Sequence, residues 1–187
     1  WSSDVCSSDL FTTQSASQKH AGRTMASDSI ESKVAGLLMR GHQTIAVAES
    51  CTGGLICNRL TNISGSSEYL EMGIVAYGNQ TKMKLLDVPE AIIADHGAVS
   101  EACVRAMASG IRRLAGTHLG LAVSGIAGPT GGTPDKPVGT VFVALAWEGG
   151  ETCHRFSFEG NRWQIKEQSA TEALLMVRRH CEENRHG

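Results

Sequence analysis

Four apolar residues, Ile45, Ala46, Val47 and Ala48, stop abruptly at Glu49-Ser50-Cys51-Thr52-Gly53-Gly54, and Leu55-Ile56-Cys57-Asn58-Arg59-Leu60 follows. A short apolar run bounded by turn residues becomes a buried strand, and the segment after the glycines has a helix-like pattern. A strand that turns directly into a helix is the building step of an α/β sheet. It also gathers small hydroxyls and free backbone N–H groups at one point, which suits an anion or an attacking oxygen. Ser50 is therefore a candidate nucleophile, with Thr52, Gly53 and Gly54 as a candidate cradle. On this segment alone the simpler reading is that Ser50 or Thr52 caps the helix.

The rest of the chain alternates in the same way. Asp28 with Glu31 resembles a capping pair before a helix marked by Ile30, Val34, Leu37 and Leu38 and stopped by Gly41. A helix is expected from about Thr52 to Leu60, a turn-rich stretch from Asn62 to Ser67 and a strand from Met72 to Tyr77. Short helices are expected over Gln80–Leu86 and Glu90–His96. A longer one, capped by Ser100, carries Cys103, Val104, Met107, Ile111 and Leu114. Leu119 to Ser124 is a buried strand, and a loop rich in Gly and Pro spans Gly125 to Pro137. Val138–Trp147 and Glu151–Phe158 form two strands about a Gly149–Gly150 hairpin signal, and a final helix runs from Arg162 to Cys181. The expected fold is α/β, a single three-layer α/β/α sandwich with a mixed sheet.

The first residues stand apart. WSSDVCSSDL back-translates to a sequence resembling a sequencing adapter, and the stretch that follows it is polar and without periodicity up to Met25. Residues 1–24 are expected to be an adapter-derived or disordered leader, and residues 25–187 the domain. The leader holds two acids and two bases, so the formal charge of −2 stands without it. That balance gives no footprint for nucleic acid, and no apolar stretch approaches a membrane span. Outside the leader, Cys51, Cys57, Cys103, Cys153 and Cys181 are odd in number, scattered and without a CxxC, which suits reduced cytoplasmic thiols. The His residues form no ligand-like pair outside the polar C-terminal tail, where His180 and His186 are expected to fray. No metal is expected.

Three loops that follow strands carry the remaining chemistry. The loop opened by Ser124, with Gly125, Gly128, Gly131 and Gly132, lets backbone approach a ligand closely. It has neither Walker nor GxGxxG spacing, which disfavours a kinase or a dinucleotide dehydrogenase. Tyr77, Asn79 and Lys82 cluster at another strand end, where a buried Lys could accept a proton from Ser50. By itself Lys82 also fits a solvated helix position. Arg162, after Glu159-Gly160-Asn161, could meet a carboxylate or phosphate, or could be a surface residue of the first helical turn.

Taken together, AESCTGG, GIVAYGNQTK, HGAVSE, SGIAGPTGG with KPVGTV, and FEGNR resemble the CinA C-terminal domain family, in order and spacing, from about Ser27 to about Val177. More narrowly they are similar to the stand-alone nicotinamide mononucleotide deamidases. The resemblance implies a bacterial amidohydrolase of pyridine nucleotide recycling that converts nicotinamide mononucleotide to nicotinate mononucleotide and ammonia. It implies a three-layer fold, a homodimer, a small nucleotide substrate, and neither metal nor cofactor. Carried onto this sequence, it gives Ser50 as the catalytic serine with Tyr77 and Lys82 as its partners. Thr52, Gly53, Gly54, Asn79, Ser124, Gly125, Gly128 and Arg162 would bind substrate. Ser50 then becomes the nucleophile and Thr52 is left as the helix cap.

Two positions depart from the family pattern. Gly78 replaces a usual Ser, and Asn161 replaces a usual acid before Arg162. The expected chemistry is acyl transfer, with backbone N–H groups of Cys51–Gly54 or Gly125–Gly128 stabilising the oxyanion. Two alternatives stay open: a nucleotide-binding regulatory module without catalysis, and a hydrolase of another amide-bearing nucleotide. The family's longer members carry an additional N-terminal domain linked to nucleotide pyrophosphatase activity. This sequence is expected to be the single domain.

Overall fold

The computed structural model describes residues 28–184, so the expected leader over residues 1–24 and the fraying of His186 lie outside the described residues. Helix α1 (Ile30–Arg40) leads into strand β1 (Ile45–Glu49), and helix α2 (Leu55–Thr61) follows the Ser50–Gly54 turn. A single 3₁₀ turn (Ser66–Glu68) precedes β2 (Leu70–Val75). Three helices follow, α3 (Asn79–Leu86), α4 (Glu90–His96) and α5 (Glu101–Ala115). Strands β3 (Leu119–Gly125), β4 (Thr140–Trp147) and β5 (Gly150–Ser157) then precede the long helix α6 (Arg162–Glu183).

The sheet order is β2-β1-β3-β4-β5, with β1 parallel to both β2 and β3, and β4 antiparallel to both of its neighbours. The mixed sheet expected from the hairpin is therefore present. Alternation along each strand sends successive side chains to opposite faces. Ile45, Val47, Leu121, Val123, Val143 and Leu145 face α1, α2 and α6, while Ala46, Ala48, Ala122, Ala144 and Ala146 face α5. One face is thus lined with branched residues and the other with alanines. α5 lies close against the alanine face. At Gly120 a Cβ would stand 2.2 Å from the Ala108 carbonyl oxygen.

Several boundaries differ from expectation, each for a local reason. Ser29, not Asp28, caps α1 by accepting from the Ser32 N–H, and Asp28 instead pairs with Lys33 at 2.6 Å. Thr52 does not cap α2, whose N-cap is Gly54 at φ 96° with no side-chain cap of its own. Strand β2 ends before Tyr77, because the Ala76 and Tyr77 carbonyls turn toward Lys82. His180 does not fray: its ring lies against Trp147, tilted by 40° with ring centroids 4.4 Å apart. Ser100 caps α5 as expected, accepting from the Cys103 N–H.

Candidate active site

The parallel strands β2, β1 and β3 end on the same side of the sheet. From β1 the chain passes over one face through α2 to β2, then over the other face through α5 to β3, so the connections diverge between β1 and β3. A crevice outside such a switch point is where open α/β sheets bind ligands. Ser50 closes β1 there and Ser124 lies near the end of β3, the two strands being held together by the Ser50 N–H on the Val123 carbonyl at 3.0 Å. A cavity of about 350 Å³ opens at this point, with Ser50, Lys82, Tyr77, Ser124, Gly128 and Arg162 in its wall.

Lys82 is 1% exposed, yet no carboxylate meets its Nζ among the hydrogen bonds of the described residues. Nζ donates to the Ala76 carbonyl at 2.7 Å and the Tyr77 carbonyl at 3.0 Å, and stands 3.2 Å from Ser50 Oγ. Carbonyl oxygens only accept, so two of the three Nζ directions hold hydrogen in either protonation state. The third faces the serine. Burial holds the Lys82 ammonium below its ordinary pKa of 10.5. A neutral amine then aims its lone pair at the Ser50 hydroxyl, which is the arrangement of a general base and a nucleophile. Cys51, next in the chain, is held to a different fate: burial first, and then the charge of Glu49, push its thiol up to about 12. It stays protonated near neutrality.

The rim is built by α6. Arg162 donates through one terminal nitrogen to the Gly128 carbonyl at 2.6 Å and through the other to the Tyr77 hydroxyl at 2.9 Å. Tyr77 therefore serves the site twice, with its carbonyl on Lys82 and its phenol on Arg162. Asn161 caps α6 through its side-chain oxygen, and Gln164 bonds back to the Asn161 N–H, a complete capping box. The missing acid at this position thus leaves a neutral cap that fixes where α6, and Arg162 with it, begins. Ser124 Oγ donates to the Ala98 carbonyl at 2.8 Å, so this hydroxyl ties the glycine loop to the segment before α5. Asn79 and Gly125 also line the cavity.

Thr52, Gly53 and Gly54 do not line the cavity. Thr52 is fully buried with its hydroxyl oxygen unpartnered, Gly53 N–H bonds the Ser50 carbonyl, and Gly54 N–H bonds the Glu49 carboxylate. The reason is a residue that sequence reading passed over. Glu49 is fully buried and accepts from the N–H groups of Gly54 at 2.9 Å, Ile56 at 3.2 Å and Cys57 at 2.9 Å. It supplies the start of α2 with the cap that Gly54 cannot. A glutamate closing an otherwise apolar strand was the available signal, since buried charge is rare unless paired or hydrogen-bonded.

A larger hollow of about 450 Å³ lies where Leu119 begins β3, lined by residues that include Arg112, Thr117, His118, Trp147 and His180. Thr117 Oγ1 there donates to the Leu119 carbonyl, and the His180 ring is tilted against Trp147. Among the described residues, no three His, Cys, Asp or Glu side chains converge as metal ligands.

The family model of the CinA C-terminal domain matches residues 27–181. A CinA-like protein of Syntrophus aciditrophicus is 56% identical over 155 residues, covering 82% of this chain and 37% of that protein. A CinA-like protein of Geobacter metallireducens is 48% identical over 164 residues, covering 87% of this chain and 40% of its own length. The chain thus spans well under half of these relatives. Among solved structures, a competence-damaged protein (CinA) superfamily protein from Klebsiella pneumoniae superposes with a TM-score of 0.80 at 32% identity, covering 82% of this chain and 96% of that one. The competence/damage inducible protein CihA from Agrobacterium tumefaciens gives 0.76 at 35% identity, covering 79% and 93%.

Proposed function

Because the chain belongs to the CinA C-terminal domain family, we propose that it is a serine-dependent amidohydrolase that converts nicotinamide mononucleotide to nicotinate mononucleotide and ammonia. The observation that carries this reading is the approach of Lys82 Nζ to Ser50 Oγ, 3.2 Å apart in the wall of a cavity at the strand ends. Neutral Lys82 takes the Ser50 proton as Oγ bonds to the carboxamide carbon. The tetrahedral intermediate collapses, the C–N bond breaks, and the proton on Lys82 passes to the departing nitrogen, which leaves as ammonia. Water, deprotonated by the same amine, then attacks the acyl-enzyme and releases the acid with Ser50 restored.

Arg162 is the cation on the rim and is suited to a substrate phosphate. Its two bonded nitrogens hold it against Gly128 and Tyr77, so its orientation is set before ligand arrives. The Gly53 and Gly54 N–H groups are committed within the turn. Oxyanion donors are therefore to be sought at Cys51 or in the Gly125–Gly128 segment. The reading includes a homodimer and a cytoplasmic setting. Five free thiols among the described residues suit the latter, and no helix there is long and apolar enough to cross a membrane.

Ammonia release from nicotinamide mononucleotide, free nicotinamide and NAD tests the reading. The mononucleotide is the expected substrate. Ser50→Ala should fall to background, and Lys82→Met should lose roughly 10²–10⁴-fold in kcat, the usual worth of a positioned base. Wild-type turnover by Ser50→Ala would overturn the mechanism. Tight binding of the mononucleotide without ammonia would make the chain a nucleotide-binding module, and turnover of another amide alone would reassign the substrate.

A further inference from the structure

We infer that Glu49 is the positioning residue that fixes Ser50 Oγ against Lys82. The inference rests on the serine reading above and concerns what holds the serine in place. Three observations carry it. Glu49 and Ser50 are adjacent at the end of β1, where successive side chains leave on opposite faces. Glu49 follows Ile45 and Val47 toward α2, and Ser50 turns to the side from which Lys82 arrives. The carboxylate is fully buried beside the Cys57 thiol, and it accepts from three backbone N–H groups of the α2 start, at 2.9, 3.2 and 2.9 Å. Finally, the α2 N-cap is a glycine at φ 96°, so no local side chain can do this work.

An ordinary cap sits at the N-cap residue itself and ties a helix only to its own first turn. Here the cap comes from the last residue of the preceding strand and reaches across the whole Ser50–Gly54 turn. The Gly54 end of that turn is thereby fastened to the carboxylate of Glu49, the residue that precedes its Ser50 end. The Gly53 N–H on the Ser50 carbonyl, at 3.2 Å, closes it from within. Ser50 has little freedom left to swing away from Lys82. The helix start also receives the negative charge it favours, which offsets part of the cost of burying it. Bound from both sides by N–H groups, this carboxylate acts on the reaction through Ser50 and has no proton-transfer role of its own.

Glu49→Gln keeps the size and one accepting oxygen, but its amide NH₂ faces an N–H donor and one side of the clamp opens. Glu49→Asp keeps the charge but draws it back by one methylene. The test measures, for both variants, thermal unfolding, kcat and KM for nicotinamide mononucleotide, the pH profile, and the rate of labelling by a fluorophosphonate. In that reaction the Ser50 oxygen attacks phosphorus, fluoride leaves, and the serine proton passes to Lys82. For a folded variant the expected result is a fall of roughly 10²-fold in kcat and an equal fall in labelling rate, as for small displacements of a reacting atom. KM should stay within about twofold, since the rim on α6 is untouched, and the Lys82 limb of the pH profile should not move.

Folded variants with wild-type labelling rates would overturn the inference. So would failure of both variants to fold, which would make Glu49 a requirement of the fold alone. If the wild type resists the probe, or Ser50→Ala is labelled equally fast, it is the serine reading that fails.

Discussion

Lys82 has three polar neighbours, and the direction of one hydrogen bond depends on its charge. With the ammonium form, Nζ donates to Ser50 Oγ; with the amine, Oγ donates to Nζ. The second state is the one that can take the serine proton, so kcat/KM should rise with pH as Lys82 deprotonates, through a value below 10.5. A pH–rate profile with no ascending limb below 10.5 would contradict this assignment. Stability should carry the same signature. The folded chain holds this proton less tightly than the unfolded chain does. Between the two pKa values the unfolded state therefore binds more protons, and unfolding free energy rises with pH up to about 10.5. Chemical denaturation of the wild type and Lys82→Met across that interval should show the wild type gaining relative to the variant as pH rises. Parallel curves would mean that burial does not perturb this lysine.

At the scale of the element, the three helix starts around the site differ in how they are capped, and one has no side-chain cap. α2 is capped by Glu49 from the strand before it, and α6 carries its own capping box. α3 begins at Gly78, with extended dihedrals suited to an N-cap and no side chain to use them. The nearest atom that a Cβ there would meet is Thr81 Oγ1 at 3.9 Å, so a serine fits. Gly78→Ser should stabilise the protein by about 0.3–1 kcal/mol, through the added cap and the loss of glycine freedom in the unfolded chain. Equilibrium denaturation reads this directly, and an unchanged or lowered midpoint would refute it. Since Gly78 N–H is not part of the Lys82 cage, turnover should stay near that of the parent.

For the whole molecule, α5 acts as the spacer between the sheet and the helix that carries Lys82. Gly120 lets α5 lie on the sheet, and Gly110 lets it meet the end of α3, where a Cβ would stand 2.0 Å from the Leu86 carbonyl oxygen. Leu86 is one helical turn beyond Lys82, so this close approach sets the seat of Lys82. Gly110→Ala should cost about 1–3 kcal/mol, the usual penalty for overpacking, and should lower kcat because α3 must shift. Loss of stability with full kcat would show that the shift is absorbed elsewhere.

The same scale separates what was legible in the chain from what was not. The helix over Glu101–Ala115, the β4–β5 hairpin and the mixed sheet follow from periodicity and turn residues within single segments. Thr52 reads as the cap because its sequence position is right for one. Only the fold reveals that Glu49 already holds the N–H groups and that Gly54 begins the helix. The grouping of Tyr77 with Asn79 and Lys82 was legible, but its division between a carbonyl on Lys82 and a phenol on Arg162 was not.

The sequence by itself determined the elements and the strand-to-helix turn that ends β1, because apolar spacing and turn chemistry act over a few residues. It also carried the family, through ordered motifs. The tertiary structure decided the placing of β1 between β2 and β3, which opens the crevice beside Ser50. It alone brought Lys82 to a serine 32 positions away, Ser124 to a carbonyl 26 away, and Arg162 to Gly128 and Tyr77, 34 and 85 away. Such contacts have no local signature. They exist because helices packed on two faces of one sheet bring distant segments to the same strand ends, and burial there lowers the pKa of Lys82.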